Sequence, residues 1–136
     1  YSEIDPETGR PWPAMPAVFL ALARDVADRA GFRGFEPDVC LINRYRPGAR
    51  MGLHQDRDEQ DLRWPVVSVS LGLPAVFLWG GLKRGGSPAR LQLEHGDVLV
   101  WGGEDRLRYH GIAPVPDGRC ELTGDVRYNL TFRRAR

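Results

Sequence analysis

Apolar residues recur along this chain with two different periods. Between Pro16 and Gly31 they fall at Phe19, Leu22, Ala23, Val26 and Ala30, spaced i, i+3, i+4, i+7 and i+11. That spacing is one apolar face of an amphipathic helix. Pro16 suits a first helical turn and Gly31 an exit, so the pattern predicts a helix ending at Gly31. The lead-in before it holds Pro6, Gly9, Pro11, Pro13 and Pro16 and reads as irregular over residues 1–16.

Downstream the period drops to two. Val39–Tyr45, Arg50–Asp56, Pro65–Leu71, Ala75–Trp79, Arg90–Leu93, Asp97–Trp101, Arg108–Ala113 and Val126–Arg133 read as short strands. Turn signals bound them, among them Pro47-Gly48, Gly80-Gly81, Gly85-Gly86, Gly96-Asp97 and Asp117-Gly118. Such a run of short strands predicts a mainly β sandwich or jelly-roll with one N-terminal helix packed on it, not a parallel α/β sheet. There is no internal repeat, and residues 1–136 are expected to form one domain.

The last strand alternates in an unusual way. Arg127, Asn129, Thr131 and Arg133 share one face, and Tyr128, Leu130 and Phe132 share the other. A polar face of this kind ordinarily looks at water. In a jelly-roll that encloses a cavity, the same face lines a ligand pocket. Asn43 and Tyr45 repeat the i, i+2 relation on an earlier strand.

Candidate chemistry centres on His54-Gln55-Asp56. In an extended strand His54 and Asp56 point to one face and reach a common metal ion. His110 would complete two histidines and one carboxylate, the facial triad of non-haem Fe(II) oxygenases, which leaves open positions on the metal. Taken alone, the tripeptide is weak, because such a trio more often marks a solvated turn. His95 sits in Glu94-His95-Gly96-Asp97, which reads as a turn with a surface histidine. His110 fits a core histidine or a ligand, and spacing alone does not choose.

Composition narrows the class only slightly. The chain is 42% hydrophobic and 27% charged, ordinary for a globular protein, with a net charge of +1. Any nucleic-acid surface must therefore be local. Lys83 is the only lysine, so the basic residues are arginines, the better bidentate partners of carboxylates and phosphates. Cys40 and Cys120 form no C-x-x-C pair, which argues against a disulfide framework and for a reducing cytoplasm. No apolar run approaches the roughly 20 residues of a membrane span, and no signal peptide is visible. A monomer is the default expectation.

Several motifs, in order, closely resemble the bacterial AlkB family. They are Ile4-Asp5-Pro6, Pro11-Trp12-Pro13-Ala14-Met15-Pro16, Leu41-Ile42-Asn43-Arg44-Tyr45, Leu53-His54-Gln55-Asp56 and Val67-Ser68-Val69-Ser70-Leu71-Gly72-Leu73-Pro74. Glu94-His95-Gly96-Asp97-Val98, Trp101-Gly102-Gly103 and Arg127-Tyr128-Asn129-Leu130-Thr131-Phe132-Arg133 complete the set. The resemblance implies a double-stranded β-helix, or jelly-roll, that uses Fe(II) and 2-oxoglutarate to repair alkylated nucleobases. Oxidative demethylation of 1-methyladenine or 3-methylcytosine would release formaldehyde and convert 2-oxoglutarate and O2 to succinate and CO2.

Carried over by position, the resemblance implies metal ligands at His54, Asp56 and His110, with His95 excluded. Arg127, assisted by Tyr45, would hold the distal carboxylate of 2-oxoglutarate. Asn129 and Arg133 would lie near its iron-chelating end, and Asn43 would also touch it. Asp58 would meet the exocyclic amine of a flipped adenine and favour a cationic methylated base. Trp101 would wall the base pocket, and Arg50, Arg57 and Arg84 would contact phosphates. The implied partner is single- or double-stranded DNA, with RNA or a protein side chain as the alternative substrate. A non-catalytic iron or 2-oxoglutarate sensor is the alternative from another class. The family's upstream lid is expected to be absent, with Tyr1-Ser2 as its last remnant.

Overall fold

Two four-stranded antiparallel sheets face each other in the computed structural model, which describes residues 1–136. The helix α1 spans Ala17–Arg29. It is followed by β1 (Val39–Tyr45), β2 (Met51–His54), β3 (Val66–Gly72) and β4 (Ala75–Trp79). Then come β5 (Ala89–Leu93), β6 (Val98–Trp101), a 3-10 turn at Gly103–Asp105, β7 (His110–Ile112) and β8 (Arg127–Arg133). One sheet runs β1-β8-β3-β6 and the other β2-β7-β4-β5. This is the double-stranded β-helix that the strand pattern and the resemblance predicted. The lead-in before α1 holds only an isolated bridge between Ile4 and Pro11.

The central strands β3 and β8 of the first sheet are buried on both faces, whereas the edge strand β1 is partly exposed. Its outer residues Val67, Val69, Leu130 and Phe132 form one core with Ala23, Ala27 and Phe35. Phe132 is fully buried and meets Phe19 edge to face, with centroids 5.9 Å apart. Each such buried side chain contributes about 1.5–3 kcal/mol of transfer free energy. The helix stripe is rotated slightly from the predicted one. Ala23 and Ala27 are its buried centre, while Leu22 is 37% exposed and Ala30 caps the C-terminus in the open.

The second core lies between the sheets. Tyr45, Val66, Leu73, Ala75, Phe77, Leu93, Trp101, Ile112 and Val115 fill one end of that space. At the other end the inward residues turn polar. Register places Asn43 beside Asn129 and Asn129 beside Ser70, with Leu41, Thr131 and Ser68 one step away. Tyr45, Arg127 and Gly72 form the next row. The alternation in β8 thus resolves inward: its polar face lines a cavity, not the solvent.

Strand β2 is shorter than predicted. Pairing with β7 shifts register between Met51 and His54, and the strand stops there. Asp56 lies beyond it, in a segment without regular structure that continues to β3. Side chains must therefore hold Asp56 where ladder bonds do not.

Candidate metal centre

The two short strands β2 and β7 place His54 directly opposite His110. Their ring centroids are 4.4 Å apart. Each ring is aimed by the same local device. His54 Nδ1 donates to the carbonyl of Gly52 at 2.9 Å, and His110 Nδ1 to that of Arg108 at 3.0 Å. A carbonyl accepts only from a protonated nitrogen, so both Nε2 atoms keep a lone pair for a metal. Burial pushes the His110 imidazole below its usual range, favouring the neutral form that ligates.

Asp56 completes the set. Its carboxylate oxygens lie 3.7 Å from His54 Nε2 and 3.6 Å from His110 Nε2. One potential ligand atom from each of the three residues falls within 4.8 Å of the others. Arg133 donates from Nη2 to Asp56 Oδ2 at 3.0 Å, and Oδ1 accepts no hydrogen bond. A buried carboxylate is thereby neutralised on one oxygen and left free on the other.

These residues line a cavity of about 230 Å³ between the sheets. Asn43, Tyr45, Asn129, Thr131 and Arg133 line the same space from the first sheet. Asp58 and Trp101 also border it, Asp58 exposed and Trp101 buried. Trp101 packs 4.9 Å from the His110 ring and leaves its Nε1 without a partner. Arg127 is completely buried beside this cavity, with its guanidinium 5.9 Å from the Tyr45 ring. Its Nη2 donates to Ser70 Oγ at 3.1 Å, while Nε and Nη1 have no partner. Arg84, Arg50 and Arg57 stand exposed, away from the cavity wall. Arg84 lies 4.8 Å over the Tyr109 ring in a neighbouring cleft that Leu53 and Lys83 also line.

A model of the 2OG-Fe(II) oxygenase superfamily matches residues 1–133. This chain belongs to that superfamily. It is 64% identical to the alpha-ketoglutarate-dependent dioxygenase AlkB of Escherichia coli (strain K12), over 99% of this chain and 62% of that protein. It is 50% identical to the AlkB homolog of Caulobacter vibrioides (strain NA1000 / CB15N), over 100% of this chain and 60% of that one. The solved structure of OsALKBH1 superposes with a TM-score of 0.87 at 32% identity, covering 98% of this chain and 72% of the other. The chain spans about three fifths of the length of the bacterial relatives it matches.

The residues present fit the superfamily's Fe(II) and 2-oxoglutarate. Two imidazoles whose Nε2 atoms are free of hydrogen bonds and a carboxylate oxygen that accepts none suit an iron centre. A fully buried guanidinium with two unpartnered nitrogens lacks an anion, and a dicarboxylate supplies one. Arg133 spends most of its donors on Asp56 and Glu59, leaving Nη1 unpartnered. Asn129 is engaged within the sheet: its amide donates to Ser68 Oγ and the Val69 carbonyl, and its oxygen accepts from Thr131. Asn43 forms no such bonds and is the freer of the two amides facing the cavity. His95 sits in its surface turn, where Nδ1 accepts the backbone N–H of Gly72 at 2.8 Å.

Sequence reasoning overlooked Ser68, Ser70, Glu59 and Arg106. The serines carry the same period-two polar signal as β8, set in an apolar strand. Glu59 and Arg106, both buried, sit in loops that read as solvated.

Proposed function

We propose that this chain is an oxidative demethylase of N-alkylated nucleobases such as 1-methyladenine and 3-methylcytosine, acting on DNA. The reading is carried by one observation: a His-Asp-His ligand set lines a cavity whose border carries Asp58, and Tyr45 on its wall sits 5.9 Å from the guanidinium of the uncompensated, buried Arg127. The relatives' printed names support a nucleic-acid substrate, as in the nucleic acid dioxygenase ALKBH1 of Mus musculus, 39% identical over 77% of this chain.

Bound Fe(II) with 2-oxoglutarate and O2 supplies an oxidant able to hydroxylate a methyl C–H bond. The chain's own residues do the rest. Arg127 anchors the distal carboxylate of the cosubstrate, with Tyr45 beside it. Leu41 and Met51 give the cavity apolar walls for a flat base, while Asp58 offers a carboxylate to its positive charge. Hydroxylation yields an N-hydroxymethyl base. The hydroxyl proton then passes to water as the bond between the ring nitrogen and the hydroxymethyl carbon breaks; that bond's electron pair stays on the nitrogen and neutralises the ring, and formaldehyde leaves. Arg84, Arg50 and Arg57 hold phosphates while the target base is extracted, a cost of about a few kcal/mol that is least in single strands.

The test is anaerobic loading with Fe(II) and 2-oxoglutarate, followed by air and single-stranded DNA carrying 1-methyladenine. The expected result is loss of one methyl group by oligonucleotide mass with the parent chain and none with His54→Ala. Tight cosubstrate binding with an unchanged oligonucleotide would replace this reading with the sensor.

A further inference from the structure

Asp56 is gripped at both its backbone and its carboxylate by one buried ring of charges. Arg106, only 3% exposed, donates from Nη1 to the Asp56 carbonyl at 2.5 Å. Its Nε donates to the carbonyl of Trp64 at 2.8 Å, and its Nη2 lies 3.4 Å from Glu59 Oε2. The other Glu59 oxygen meets Arg133 Nε at 3.2 Å, and Arg133 returns to the Asp56 carboxylate at 3.0 Å. Two arginines and two carboxylates balance in charge, with Glu59 Oε2 meeting Arg106 as an ion pair without a hydrogen bond.

We propose that Arg106 is a positioning residue for the metal ligand Asp56, acting with Glu59. The need arises from the fold. Strand β2 ends at His54, and nothing regular holds the backbone from there to β3. His54 and His110 are fixed by ladder register and by carbonyls two residues upstream, whereas Asp56 has no such support. Arg106 pins two points of that loose segment, the carbonyls of Asp56 and Trp64. Through Glu59 it also sets the height of the arginine that holds Oδ2. The loop that follows Arg106 supplies the Arg108 carbonyl that aims His110, so a single turn orients two of the three ligands. Only a planar guanidinium reaches three acceptors in different directions; a lysine ammonium is a point charge on a flexible stem.

The inference rests on the ligand reading of Asp56, and its test separates the two. Cobalt(II) alone, then cobalt(II) with 2-oxoglutarate, is titrated anaerobically into the parent chain, Arg106→Lys and Val67→Ala. The last loses packing under the helix, in a core that contains none of the ring's four charged residues. Outer ligand partners typically contribute 10–100-fold to metal affinity. Arg106→Lys is therefore expected to bind cobalt(II) at least ten times more weakly and to show altered visible d–d bands. Its cobalt complex should still take 2-oxoglutarate within about threefold of the parent, because Arg127 is untouched. Val67→Ala should lower the melting temperature and leave cobalt affinity alone. Cobalt affinity of Arg106→Lys within threefold of the parent, or an equal loss in Val67→Ala, would overturn the proposal. A parent chain that binds no cobalt would overturn the ligand reading itself. Glu59→Gln, which keeps the shape and removes the charge, decides the matter if Arg106→Lys does not fold: weakened cobalt binding supports the proposal and parental binding overturns it.

Discussion

Arg127 makes a single hydrogen bond, from Nη2 to Ser70 Oγ at 3.1 Å, while its other two guanidinium nitrogens are buried without a partner. No carboxylate pairs with it, and burial pulls its pKa below the usual arginine range. A cation in this state weakens the empty chain and is stabilised by the ligand it awaits. Arg127→Met should therefore leave the stability of the ligand-free chain unchanged or higher. Its metal complex should lose about 3–5 kcal/mol of 2-oxoglutarate affinity, roughly two to three and a half orders of magnitude. Calorimetric titration and thermal melts read both effects. Parental 2-oxoglutarate affinity, or a large drop in apo stability, would sink the idea.

Metal removal should not unfold the chain. The Asp56 carboxylate is already paired with Arg133, and burial favours neutral His110, so neither of these ligands leaves a stranded charge when the metal is removed. After EDTA treatment the far-ultraviolet circular dichroism should remain native. Cobalt(II) at a hundred times its dissociation constant should then add about 2.7 kcal/mol, roughly 10 °C in melting temperature. Asp56→Ala should abolish that rise and cost about 1–3 kcal/mol, since Glu59 still neutralises one of the two arginines. A chain that melts at room temperature without metal would contradict this account.

Gly111 sets the separation of the two histidine strands. A Cβ built there would lie 2.5 Å from the Met51 carbonyl oxygen and 3.1 Å from that of Gly52, both backbone atoms of β2. Neither side can yield without moving His110, the adjacent residue, or the Gly52 carbonyl that aims His54. Gly111→Ala should therefore cost about 1–3 kcal/mol as overpacking and weaken cobalt(II) binding along with it. Arg127 and its bond to Ser70 lie on the opposite sheet and should be spared. Unaltered metal affinity in a folded Gly111→Ala chain would show that the strand spacing has slack.

The legible parts of this fold are those in which local periodicity and tertiary role coincide. The bounds of β1 and β4 agree with their apolar runs, and the i, i+2 relation in β8 pointed to a lined pocket. His54 and His110 became decisive through register, which no spacing in the sequence encodes. Asp56 reached the site by a route the strand argument did not supply, since it lies past the end of β2. Glu59 and Arg106 were illegible for a plain reason. A charged residue in an irregular segment looks solvated unless its partner is known, and these partners come from distant loops. Ser68 and Ser70 were legible by the rule already applied to β8.

Asp58 tests whether the cavity selects a charged base. It borders the site, is exposed, and makes no hydrogen bond within the chain. An exposed carboxylate gives a modest attraction, so Asp58→Asn should lower kcat/KM for 1-methyladenine by roughly twofold to fivefold. A neutral alkylated base carries no charge to attract, and its kcat/KM should stay within the error of the parent. The gap between the two substrates should also narrow in the parent as salt rises, because exposed charges are screened over about 10 Å at 0.1 M. Cobalt(II) and 2-oxoglutarate affinities should not change, which separates a substrate contact from damage to the centre. Equal losses on both bases would mean that Asp58 shapes the cavity and does not read charge.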